Sequence, residues 1–97
     1  MSKESDVEKY LHEQITTMTK GTTRKWVSPN YVGVPDRIII LPSGCVEFVE
    51  VKTPVGKLSP MQHREIERLR SFGCVVTVIY GKEGVDSYIK ELISRGY

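Results

Sequence analysis

Cysteine is scarce in this chain. Cys45 and Cys74 are its two cysteines in 97 residues, and each stands alone at the edge of an apolar run. With no CxxC pair and no accompanying His cluster, neither a disulfide framework nor a zinc site is expected, and both read as buried thiols. Long hydrophobic runs are missing too: none approaches the roughly 18 residues that a helix needs to cross a bilayer. The opening Met-Ser-Lys-Glu-Ser-Asp has mixed charge and no apolar stretch, unlike a secretory signal, so the expected location is the cytoplasm. A strong excess of one charge is also lacking. A net charge of +2 permits contact with a polyanion without demanding it.

What is present is ordinary for a folded protein, with 39% hydrophobic and 27% charged residues. A chain of this length can bury a core without metal or disulfide staples, so residues 1–97 are expected to form one domain. Residues 4–19 place Val7, Tyr10, Leu11, Gln14, Ile15 and Met18 on one helical stripe that Gly21 ends. Residues 22–31 alternate loosely around Trp26 and predict at most a short strand before Pro29 and Asn30. Residues 37–41 and 45–51 are rich in β-branched side chains, and Pro42-Ser43-Gly44 between them signals a hairpin. Ser59-Pro60 opens a second helix with Ile66, Leu69 and Phe72 facing inward, stopped by Gly73. Residues 74–80 read as a strand. Residues 83–94 read as a closing helix with Val85, Tyr88, Ile89 and Leu92 on its apolar face. A strand, a crossover helix and another strand imply a parallel pairing, so the expected fold is α/β: a mixed sheet with a central hairpin, flanked by helices.

The hairpin gathers charges. A three-residue loop pairs Leu41 with Cys45, and the same register puts Asp36 opposite Glu50, with Lys52 on the same face. Opposed carboxylates have Cβ atoms about 4.5–5.5 Å apart and repel, a cost that a hard divalent cation between them removes. All-oxygen ligands favour Mg²⁺, with Mn²⁺ able to substitute, and such an ion suits phosphodiester hydrolysis. The bland alternative makes Glu50 and Lys52 solvated strand charges and Asp36 a loop cap. Against it, their face also carries Ile38, Ile40, Val46 and Phe48, which reads as the core side.

Val34-Pro35-Asp36-Arg37 followed by Val49-Glu50-Val51-Lys52 resembles the PD-(D/E)xK nuclease signature. Three blocks in order are more specific: Gly33-Val34-Pro35-Asp36-Arg37, then Phe48-Val49-Glu50-Val51-Lys52-Thr53-Pro54, then Gly56-Lys57-Leu58-Ser59-Pro60-Met61-Gln62. Together they resemble the virus-type replication-repair nuclease (VRR-NUC) domain, from about Glu4 to Ile79. The resemblance implies a restriction-endonuclease-like core, Asp36 and Glu50 as metal ligands, the Val51 carbonyl as another, and Lys52 as catalytic lysine. It also carries over Gln62 and an acid of the first helix, for which Glu8, at the edge of the buried stripe, is preferred to Glu4. Gln62 has a second reading as the reciprocal partner of Ser59 in a capping box.

The expected function is a Mg²⁺-dependent, structure-selective DNA endonuclease that resolves Holliday junctions as a homodimer, from a phage or a bacterium. Pairing two copies doubles charge and active sites, and two-fold symmetry matches a four-way junction. Trp26, Tyr31 and the last helix are the expected interface. The alternatives are a flap or duplex endonuclease and a non-catalytic DNA-binding module. Lys57, Arg64 and Arg68 are candidate phosphate contacts, although the outer face of a helix is charged in most proteins. His12 and His63 lack ligand spacing.

Overall fold

Helix α1 (Glu4–Met18) buries Val7, Leu11 and Ile15 completely, one row at four-residue spacing. In its first turn the Asp6 carboxylate accepts the Lys3 backbone N–H at 3.0 Å. The row is narrower than the sequence stripe: Tyr10 and Gln14 are half-buried and Met18 is exposed, since the helix meets the layer beneath it along a single line. These are features of a computed structural model that describes residues 3–97.

Four strands follow in one sheet, β1 (Thr22–Lys25), β2 (Arg37–Leu41), β3 (Cys45–Lys52) and β4 (Val76–Tyr80), side by side in that order. β1–β2 and β2–β3 are antiparallel; β3–β4 is parallel and needs the crossover helix α2 (Pro60–Ser71). Helix α3 (Gly81–Ser94) closes the chain. The mixed α/β sheet and the order of elements are as the sequence predicts. So is the hairpin register, with Leu41 opposite Cys45, Ile38 opposite Phe48 and Arg37 opposite Val49 around the turn Pro42–Gly44.

The face on which the core sits is the opposite of the one expected. α1 and α3 pack on the side carrying Ile39, Leu41, Val49, Val51 and Ile79, and bury them with Val85, Tyr88, Ile89 and Leu92. The side carrying Ile38, Ile40, Val46 and Phe48 leaves Ile40 and Val46 exposed and the other two half-buried. Ile38, Ile40, Val46 and Phe48 make the second side of the hairpin apolar as well although no helix buries it there, so alternation alone does not tell the two sides apart. Trp26 lies on this second face, its ring 5.0 Å from that of Phe48. Over the second half of β3 the same face meets α2 through the Gln62–Glu50 hydrogen bond.

Three smaller expectations change. Phe72 is 71% exposed instead of inward, because it caps α2 just where the chain turns out of the helix at Gly73; the Arg68 guanidinium covers its ring at 5.6 Å. Ile66 alone on that stripe is fully buried, with Leu69 half-buried. Cys45 and Cys74 are free but half-buried, and β4 begins at Val76.

Candidate active site

Asp36 immediately precedes β2. Its carbonyl accepts the Trp26 N–H at 2.9 Å, which carries the β1–β2 pairing one residue further, and its Oδ2 accepts the Val51 N–H at 2.7 Å. The loop before it is drawn onto the first turn of α2 through Gly33, at φ +89°, where a Cβ would stand 2.8 Å from the Met61 carbonyl oxygen. Only glycine fits that approach without strain.

Glu50 faces the same side from β3 and has no solvent exposure at all. Its Oε2 accepts Gln62 Nε2 at 3.0 Å and lies 3.6 Å from Lys52 Nζ. Its Oε1, buried, has no hydrogen-bond partner. Lys52, also buried, ends β3, and the segment after it is pinned by Pro54 against Gly81, whose φ of +67° and absent Cβ permit the contact. Gln62 completes the capping box of α2 and also reaches Glu50. Its Oε1 accepts the Ser59 N–H at 2.9 Å, Ser59 Oγ accepts the Gln62 N–H at 3.1 Å, and its Nε2 is left for Glu50.

The first-helix acid beside these groups is Glu4, not Glu8. One carboxylate oxygen each of Glu4, Asp36 and Glu50 lie within 4.8 Å of one another. Glu8 turns to the α1 side of the sheet and pairs with Arg37 and Lys25, each at 3.2 Å. The two acids are one turn apart on α1, and the placement of the helix along its axis, which periodicity does not encode, brings the earlier one to the end of the sheet.

Burial, and then the Asp36 carboxylate, push Glu50 up to about 7, with Glu4 adding to the rise and Lys52 opposing it. Burial raises Asp36 as well, against the Val51 N–H. Three converging carboxylates, one with an orphaned buried oxygen, form a donor set that fits a hard divalent cation and leaves a deficit without one. The Val51 side chain points into the core on the other face, so a role for this residue at the site falls to its backbone.

Two polar groupings escaped the sequence reading. Glu47 is 2% exposed on the core face, where its carboxylate accepts Tyr88 Oη at 2.7 Å and Arg95 Nη2 at 2.6 Å. Its even spacing with Val49 and Val51 was the available signal. The second grouping surrounds Arg37, buried beneath α1 among Thr23, Glu8 and His12.

Comparison with known proteins gives a consistent picture. The VRR-NUC domain family model matches residues 2–83. A phage protein named "Putative nuclease p44", from Acyrthosiphon pisum secondary endosymbiont phage 1, is 42% identical over 77 residues, which cover 79% of this chain and 82% of that one. A solved structure titled "VRR_NUC domain" superposes with a TM-score of 0.80 at 35% identity, over the full length of both chains.

Proposed function

This chain belongs to the VRR-NUC nuclease domain family, and we propose that it is a Mg²⁺-dependent, structure-selective DNA endonuclease that works as a homodimer on branched DNA. The observation that carries the metal and the site is the orphaned, buried Oε1 of Glu50 beside the carboxylates of Asp36 and Glu4.

In this reading Asp36, Glu50 and Glu4 hold the ion, with the Val51 carbonyl as a further ligand. A bound Mg²⁺ or Mn²⁺ supplies Lewis acidity at a phosphoryl oxygen and a water of lowered pKa. The Val51 N–H fixes Asp36, and Gln62 Nε2 fixes Glu50 so that Oε1 stays free for coordination. The Lys52 ammonium, held near Glu50 by burial and charge, orients the attacking water and offsets charge developing on the phosphate. Arg64 and Arg68, on the same helix as Gln62, make no ion pair among the described residues; with Lys57 they are the phosphate contacts in this reading.

The dimer is supported by apolar surface left over from the core, in Tyr31 and in Ile93 of α3, both about half exposed. Trp26 is partly spent on Phe48 and contributes less than expected. The same acidic site on a monomer would give the second reading, a flap or duplex endonuclease.

The test incubates the purified protein with end-labelled flap, fork, duplex and four-way junction DNA, with Mg²⁺ or EDTA, and measures its mass by light scattering with and without junction DNA. Mg²⁺-dependent paired nicks in the junction by a dimer are expected. A persistent monomer that nicks one strand would leave the endonuclease and sink the resolvase; no cleavage of any DNA would sink both.

A further inference from the structure

Asp36 and Arg37 are neighbours in the chain and point to opposite faces of the sheet. Asp36 enters the acidic cluster, while Arg37, 9% exposed, runs under α1. Every nitrogen of its guanidinium is engaged: Nε donates to Thr23 Oγ1 at 3.3 Å, Nη1 to Glu8 Oε2 at 3.2 Å, and Nη2 meets His12 Nδ1 at 2.7 Å. An arginine can only donate, so Nδ1 is the acceptor of this contact. Glu8 and His12 stand one turn apart, so the guanidinium grips two successive turns of α1 from below. Lys25 Nζ closes on Glu8 from β1.

One turn further toward the N-terminus is Glu4. The apolar anchors of α1 begin at Val7, so Glu4 lies ahead of the hydrophobic packing, in a first turn held locally by the Asp6–Lys3 hydrogen bond and fixed against the sheet only from Val7 onward. From this geometry we infer that Arg37 is a positioning residue for the acidic cluster: by clamping Glu8 and His12 it fixes the start of α1 so that Glu4 meets Asp36 and Glu50. The inference rests on the reading of that cluster as a metal site. It differs from that reading in assigning a function to a residue that touches neither metal nor DNA. The adjacency of Asp36 and Arg37 gives it a further sense, since the chain entering β2 places one ligand directly and another through the helix above.

Two readouts test it on the full chain. Amide hydrogen exchange of the metal-free protein should quicken in the first turn of α1 in Arg37→Met, while the amides of Leu11 to Ile15 stay protected. Titration calorimetry with Mn²⁺ should show affinity about tenfold weaker in Arg37→Met, the size of effect usual for groups that orient a ligand, with part of it regained in Arg37→Lys. If Arg37 acts through Glu4, the two changes are not additive: in a Glu4→Gln background, Arg37→Met should cost less than about twofold further. Equal losses in both backgrounds would overturn the inference, as would unchanged Mn²⁺ affinity in Arg37→Met. Should Arg37→Met fail to fold, Glu8→Gln cuts the same clamp at a more accessible point and faces the same comparison. Wild-type protein that takes up no Mn²⁺ would overturn the metal reading itself, and would be seen in the first titration, before any variant is made.

Discussion

Gln62 reaches Glu50 with the amide nitrogen of the same side chain whose oxygen caps its own helix, so one residue joins the start of α2 to the acidic cluster. The two tasks are separable. Gln62→Glu keeps an acceptor for the Ser59 N–H but replaces the donor to Glu50 with a repelling charge. Its repulsion of Glu50 should lower the melting temperature in EDTA, and cleavage should fall at least tenfold. Gln62→Ala loses both bonds, and should lower stability by about 1 kcal/mol as well. Calorimetry and initial rates distinguish them; an active Gln62→Glu would leave Gln62 with the capping role alone.

The raised Glu50 makes the metal-free protein sensitive to pH in a defined direction. Between its ordinary 4.5 and the folded value of about 7, the native state holds a proton that the unfolded chain has released. Stability therefore declines as pH rises through that window and is level above it. Glu50→Gln should melt close to the wild type near pH 4.5 and above it at pH 8. A gap that does not change with pH would contradict the assignment. For the same reason, Mn²⁺ must displace a proton below pH 7, and its apparent affinity should rise about tenfold per pH unit up to that point.

Asp36→Ala, Glu50→Ala and Lys52→Ala should each reduce cleavage by a factor on the order of 100 or more while keeping the circular dichroism of the parent. Removing either carboxylate relieves repulsion, so neither of those two variants should melt below the wild type in EDTA. Undiminished cleavage in any one of the three would take that residue out of the mechanism.

Glu47 provides the contrast, a buried carboxylate three positions from Glu50 on the opposite face of β3. Glu47→Ala strands the Tyr88 hydroxyl in the core and leaves a void, a loss of about 2 kcal/mol or more. Cleavage measured well below the melting transition should be unchanged. A fall in kcat with no fall in stability would tie this network to the site.

The gathering of Asp36 and Glu50 on one face was legible because it depends on parity alone: an odd loop at Pro42–Gly44 fixes which residues share a face. Which face α1 and α3 cover was not legible, since Ile38, Ile40, Val46 and Phe48 make the second face of the hairpin as apolar as the first. Gln62 could be placed from its spacing to Ser59 and from the side of α2 it shares with Ile66. The choice between Glu4 and Glu8 turned on where α1 stops along its axis, set by Val7, Leu11 and Ile15 meeting the sheet. Glu47 was hidden because Tyr88 and Arg95, which make its burial tolerable, come from the far end of the chain.

The strand order carries a consequence for the time course of folding. β1, β2 and β3 are neighbours in both sequence and space, whereas β4 joins β3 only after the α2 crossover. Short closures cost less entropy, which favours the antiparallel meander in the folding nucleus, with α2 and β4 docking later. Asp36 and Glu50 would then be driven together before Gln62 arrives, so their repulsion would be felt on the way up the barrier. Stopped-flow measurements in EDTA should find that Glu50→Gln accelerates folding and scarcely alters unfolding, while Ile79→Val accelerates unfolding. The acids that serve the folded protein would in this way set a speed limit on its own assembly, one that a divalent cation captured by the nascent hairpin would lift.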